Sequence, residues 1–184
     1  MAFKFLHQLL QQAQARRKPQ PHEIQMLGAL LVRYPEVDTA EYEPKYEQLR
    51  VNFMVRAELT QTELEGYDEL LAESFRSYRH LAGQEALPHV EITAEVLEKL
   101  TNVHVTWFIR ELSVEELDLL TDLAAQYFGD ALLVDQLMDA NLEADFIDQQ
   151  EEIFTMLLAE ARQHPPAQAL AGYRDGGHII VYNR

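Results

Sequence analysis

Between Glu111 and Ala161 the chain carries fourteen carboxylates and not one Lys, Arg or His. Through the same stretch apolar residues recur at helical spacing: Leu117, Leu120, Ala124 and Tyr127, then Leu133, Leu137 and Met138. Phe146, Ile147, Ile153, Phe154, Leu157, Leu158 and Ala161 continue the pattern to the end of the stretch. An amphipathic helix buries its apolar stripe, so the acids must face water, cations or a basic partner. Any fold for this chain has to leave that much negative charge at its surface.

The helical pattern extends upstream. Residues 2–17 read as an amphipathic helix with Phe3, Leu6 and Leu10 on one face, Arg16 and Arg17 in its last turn and Pro19 as its stop. A second helix runs from His22 to Tyr34 and stops at Pro35, and a third from Pro44 to about Glu58, with Tyr46, Leu49 and Phe53 inward. Thr60 followed by Glu63, and Ser113 followed by Glu116, are capping boxes that open helices toward Leu81 and toward Tyr127. Thr93 reads as the cap of a short helix through Leu100, and Asp130 as that of a helix to Asn141. The last long helix spans about Glu143 to Gln163.

Residues 103–109 are ambiguous, with helix held slightly above strand. Val103, Val105, Trp107 and Ile109 alternate like a strand, yet the run is short and lies between helical patterns. If it is a strand, its mate is the β-branched run 178–182 that follows the Asp175-Gly176-Gly177 turn. The expected fold is therefore all-α: a single-domain bundle of about six to eight helices over residues 1–184. It admits a small ribbon from 103–109 and 178–182, and a subdivision into 1–83 and 93–184 about the loop at 84–93. The apolar helix ending in Tyr34-Pro35 is similar to the opening of the redox-enzyme maturation chaperones, over about ten of 184 residues. That family's later basic and acidic-proline motifs are absent, so the resemblance transfers no function.

The net charge of −16 counts against direct nucleic-acid binding and against attraction to anionic membranes, and favours encounter with a basic protein. No apolar run approaches the roughly 18 residues of a membrane span, and no signal-peptide pattern opens the chain. With no cysteine in the sequence, a cytoplasmic location is the expectation. Carboxylates four apart, as in Asp118/Asp122 and Asp135/Asp139, could share a hard cation, but no EF-hand loop accompanies them and no metal or other cofactor is expected. The seven histidines are scattered, and the only serines, Ser74, Ser77 and Ser113, lie in no nucleophile elbow. Catalysis is thus the weaker expectation.

The function these features favour is an acidic protein-interaction module: an adaptor, assembly chaperone or immunity-type inhibitor that receives a basic partner. The residues a partner would meet are Tyr42 and Glu43 in an acidic loop, with Asp118, Asp122, Asp135, Asp139, Asp148 and Glu152 on helix faces. The N-terminal helix reads first as one packed on the core with its basic end against the acidic body, and second as a docking arm through Phe3, Leu6, Leu10, Arg16 and Arg17. Two alternatives stand beside it. One is an enzyme or small-ligand domain with a pocket near His104, Trp107 and Arg110; the other is a DNA mimic that occupies a nucleic-acid-binding protein.

Overall fold

A computed structural model describes residues 21–84, 86, 88–134 and 144–184, with side chains in the last stretch described from residue 149. Among these residues the chain is an α/β fold with four α-helices and a six-stranded antiparallel sheet, not a helical bundle. The elements are α1 (Pro21–Arg33), β1 (Thr39–Glu43), β2 (Gln48–Val55), α2 (Gln61–Leu81), β3 (Val90–Leu97) and β4 (Leu100–Phe108). There follow α3 (Val114–Phe128) with a 3-10 turn at Gly129–Ala131, α4 (Ala144–Gln163), β5 (Leu170–Asp175) and β6 (His178–Asn183).

The sheet is three hairpins laid side by side in the order β3-β4-β2-β1-β5-β6. It takes strands from both sides of residues 84–93, which makes one continuous sheet of the two halves. Both expected ribbon strands exist, but they are not mates: β4 pairs with β2 and β3, and β6 pairs with β5.

Three segments expected as helix are strands, and each for a legible reason. Leu49, Val51, Phe53 and Val55 are all fully buried and alternate with Arg50, Asn52 and Met54, a period of two that a helical reading of Tyr46, Leu49 and Phe53 overlooks. Residues 93–100 contain Glu98 and Lys99, ordinary helix formers, yet these two residues close the tight β3–β4 hairpin between Leu97 and Leu100. Glu98 adopts φ 55°, where glycine is the favoured residue, so the usual sequence marker of a hairpin is missing. Replacing Glu98 with Gly should stabilise the fold by about 1 kcal/mol, by relieving a left-handed backbone that costs an L-residue roughly that much. A chemical-denaturation midpoint that falls in Glu98→Gly would contradict the turn geometry. Val103, Val105 and Trp107, finally, are inward residues of β4, a strand paired on both sides, by β3 and β2.

The core lies on one face of the sheet. Tyr42, Leu49, Val51, Phe53, Val103, Val105, Trp107 and Leu170 point toward the helices, where Phe75 of α2 meets Trp107 with ring centroids 6.4 Å apart. Tyr34, just past α1, sets its ring edge-on to Phe154 of α4 at 5.8 Å. The opposite face carries Glu41, Arg50, Asn52, His104, Thr106, Tyr173 and Tyr182, and no described helix covers it.

Two of the four expected caps form as read, whereas Thr93 lies within β3 and Asp130 within the 3-10 turn. Thr60–Glu63 and Ser113–Glu116 are reciprocal capping boxes, opening α2 and α3. The C-terminal end of α1 is held from β5 beneath it: the Arg174 guanidinium donates to the carbonyls of Leu31, Tyr34 (3.1 Å) and Val37 (3.3 Å). Gly172 lies close beneath α1: a Cβ there would sit 3.0 Å from Leu31 Cδ1, so that side chain would have to give by a few tenths of an ångström. Among the described residues no helix is long and apolar enough to cross a membrane.

The expected helix over 2–17 lies outside the described residues. So does all but the start of the one from Asp130 toward Asn141, whose opening residues form the 3-10 turn instead.

Candidate interaction surface

Of the proposed partner-facing residues that are described, Tyr42 does not reach the surface. Tyr42 sits on the inner face of β1 at 1% exposure, so its hydroxyl and ring belong to the core. Glu43 ends the same strand and is exposed; its Oε1 accepts from the Lys45 backbone N–H at 3.2 Å. Asp135 and Asp139 lie outside the described residues, as does the side chain of Asp148. Glu152 is exposed on α4, and Asp122 is exposed on α3.

Asp118 is occupied internally. Arg33 reaches both its oxygens at 3.0 and 3.2 Å, and the Tyr34 hydroxyl donates to Oδ1 at 2.8 Å. The same guanidinium meets Glu151 of α4 at 3.3 Å, so this acid–base node ties α1, α3 and α4 together. Burial, then the bond to Asp118, pushes the Tyr34 phenol well above its ordinary value, which keeps it a hydrogen-bond donor.

Glu116 is 1% exposed and does two jobs at once. One oxygen closes the capping box by accepting from the Ser113 N–H at 3.2 Å. The other accepts from Arg79 Nε at 2.6 Å. Arg79 also donates through Nη1 and Nη2 to the carbonyls of Ala86 (2.7 Å) and Glu111 (3.1 Å), so each of its three nitrogens has a partner. The acid-rich segment therefore spends part of its charge on holding the fold.

The pocket expected around His104, Trp107 and Arg110 is not formed. His104 and Trp107 are an odd number of residues apart on one strand and point to opposite faces. Trp107 is fully buried, whereas Arg110 is exposed and forks onto Glu47 in the β1–β2 turn at 2.5 and 3.1 Å. His104 belongs to a polar row on the open sheet face. Its Nδ1 lies 2.6 Å from Asn52 Oδ1, which can only accept, so that nitrogen carries the proton. Asn52 in turn donates to the Thr39 hydroxyl.

Partial burial, reinforced by Arg50, holds the His104 pKa below the ordinary 6.5, with Glu41 and Glu95 pulling the other way. The folded chain therefore binds this proton less readily than the unfolded chain. Its contribution to stability is complete above the unfolded value and is lost as pH falls through 6.5 toward the folded pKa. A proton NMR titration should place the His104 midpoint below 6.5, and His104→Gln should flatten the acid limb of stability in that window. A midpoint at or above the ordinary value would contradict the geometry.

Among the described residues no three His, Asp or Glu side chains converge as a metal site. The described hollow that best combines apolar and acidic chemistry is a shallow groove between α2 and α3. It is lined by Leu70, Glu73, Ser74, Ser77, Tyr78 and Leu81 from α2, and by Glu115, Leu119 and Asp122 from α3. The short Ser74 and Ser77 side chains leave the hollow, and Leu81 at its end is 87% exposed. Among the described residues no Lys, Arg or His lines it, and no cation pairs with Glu73, Glu115 or Asp122.

Of the expected partner-facing residues whose side chains are described, only Asp122 lies in this groove. The others were missed because the helical reading looked only for stripes that bury. On α2 the buried stripe is Tyr67, Leu71, Phe75 and Arg79, so Leu70, Tyr78 and Leu81 form a second apolar line beside it. On α3, Leu119 is likewise displaced from buried Leu117 and Leu120. An apolar line offset from the core stripe is the signal that was present in the sequence. Comparison with protein-family models, with curated proteins and with solved structures finds no match to this chain.

Proposed function

We propose that this protein is an interaction module that docks a basic, amphipathic helical segment of a partner protein between α2 and α3. One observation carries the proposal: the groove has an apolar floor of Leu70, Tyr78 and Leu119 with exposed Leu81 at its end, flanked by the carboxylates Glu73, Glu115 and Asp122, which pair with no cation among the described residues. A helix with apolar residues at i, i+3, i+4 and i+7 and Lys or Arg elsewhere matches such a groove in both respects. The apolar contacts would set residence time, and the acids, with the net charge of −16, would steer encounter. A chain without cysteine suits the reducing cytoplasm as the place where this happens.

The test is NMR shift mapping with a synthetic amphipathic helix built of Leu and Lys. The expected result is perturbation centred on Leu70, Ser74 and Leu119, weakening as salt screens the charges. Shifts spread evenly over the acidic surface, or produced equally by an all-Lys peptide, would mean charge attraction without a docking site and would overturn the proposal.

A further inference from the structure

The two edges of the sheet differ in chemistry. β3 presents Glu91 and Glu95 on the open face, followed by Glu98 in the turn, the kind of charge that blocks edge-to-edge pairing. β6 reads His178-Ile179-Ile180-Val181-Tyr182-Asn183, with neither Asp, Glu, Lys nor Arg in the strand. Ile180 and Tyr182 on it are 37% and 47% exposed. Among the described residues no strand pairs with its outer side.

The direction of its free backbone groups follows from one bond. The Arg184 N–H donates to the Ala169 carbonyl at 2.9 Å, so residue 184 faces β5. Strand groups alternate in direction, so 182, 180 and 178 also face β5, and the N–H and C=O groups of Ile179, Val181 and Asn183 face outward. An outward-facing ladder on an uncharged, β-branched strand is a template for another strand.

We infer that the free edge of β6, with Ile179 and Val181 presenting outward backbone groups between exposed Ile180 and Tyr182, pairs antiparallel with β6 of a second copy of this chain about a two-fold axis at Ile180. The strand is self-complementary in this register. Ile179 opposes Val181 of the second copy, and the two residues exchange both backbone bonds while their side chains extend the core face. Ile180 opposes Ile180, and His178 opposes Tyr182, on the open face. Centring the axis on Val181 instead would set His178 against Arg184 and Ile179 against Asn183, a poorer match on both faces. The pairing leaves the acidic β3 edges at the two ends of a continuous sheet.

Each copy carries a net charge of −16, so added salt should strengthen this association, opposite to its effect on a basic peptide in the α2–α3 groove. Sedimentation velocity of the full chain, across low to high micromolar concentration and at two salt levels, gives the first readout. A mass that doubles with concentration, at lower concentration in higher salt, is expected. Ile180→Lys places two like charges face to face on the axis and should return the chain to monomer with an unchanged circular dichroism spectrum. Val181→Pro should do the same, because the N–H it removes faces away from β5.

The chain has no cysteine, so Ile180→Cys carries a sole thiol. On the axis its Cα would lie about 4.5 Å from its mate, within the roughly 4.4–6.8 Å a disulfide spans. Mild oxidation should therefore cross-link it, whereas Glu91→Cys on the opposite edge should stay uncross-linked. A wild type that remains monomeric overturns the inference, whether its Ile179 and Val181 amides exchange freely or are protected by some other segment. So does a dimer that survives both Ile180→Lys and Val181→Pro.

Discussion

Replacing Arg79 with Met should lower the stability of this protein by about 3–5 kcal/mol, because it leaves the Glu116 carboxylate buried without its countercharge. The pair has a 2.6 Å contact with side-chain exposures of 9% and 1%, so solvent cannot make good the loss. Two carbonyls, of Ala86 and Glu111, lose their donors in the same substitution. The consequence should spread beyond the pair, since Glu116 also closes the N-terminal cap of α3. Met keeps most of the apolar stem of Arg79, which isolates the charge from the packing. The matching double variant, Arg79→Met with Glu116→Met, should recover part of the loss, because removing both charges is far less costly than removing one. Urea denaturation of the two single variants and the double variant measures this directly. Single variants within about 0.5 kcal/mol of wild type, the range of ordinary surface substitutions, would mean that the buried pair is not formed.

The second large effect is at Trp107. Truncation to Ala should cost about 3–5 kcal/mol, the usual range for a fully buried large aromatic. Its ring fills the space between the sheet and Phe75 of α2, with ring centroids 6.4 Å apart. The neighbouring Phe108→Ala should cost much less, because Phe108 points to the open face and packs only in part, stacked on His89 at 5.7 Å. This contrast between adjacent aromatics is the energetic mark of a strand, where neighbours face opposite sides. Thermal unfolding followed by circular dichroism compares the two variants without relying on tryptophan emission. Equal losses would argue that the segment packs as something other than a strand with one buried face.

How far the residues announced this architecture depended on the kind of signal. Helix starts were legible where a side chain caps the backbone: Thr60 with Glu63 and Ser113 with Glu116 placed α2 and α3 correctly. The long apolar period ending at Pro165 located α4, and Pro35 marked the end of α1. The sheet was mostly hidden. Two of its three hairpin turns, at Pro44–Glu47 and Glu98–Lys99, contain no glycine, and Glu47 and Glu98 take positive φ without the residue that usually advertises it. The third, at Gly176-Gly177, was visible, but its first strand, β5, was not, because Ala171 and Gly172 carry little strand propensity.

For the surface, net charge was legible and its allocation was not. The sequence counts Asp118 among the acids that look free and gives Glu116 only a capping role, whereas tertiary contacts bind them to Arg33 and Arg79 from other helices. Tyr42, flanked by Glu41 and Glu43, reads as a surface tyrosine. The alternation of β1 sends it into the core and sends both glutamates out.

The proposed docking between α2 and α3 needs charge and apolar contact to act at one place, and a charge swap separates that from general attraction. The measurement is calorimetric affinity of wild type and of the Glu115→Lys/Asp122→Lys variant for two helical peptides, one of Leu and Lys and one of Leu and Glu. Both substituted residues border Leu119 on α3 and neither is paired with a described cation, so the fold should tolerate the change. The expected result is that wild type binds the Lys peptide and rejects the Glu peptide, while the variant loses the first and gains the second. Undiminished binding of the Lys peptide by the variant, at a salt concentration where wild type binds it, would contradict docking between α2 and α3.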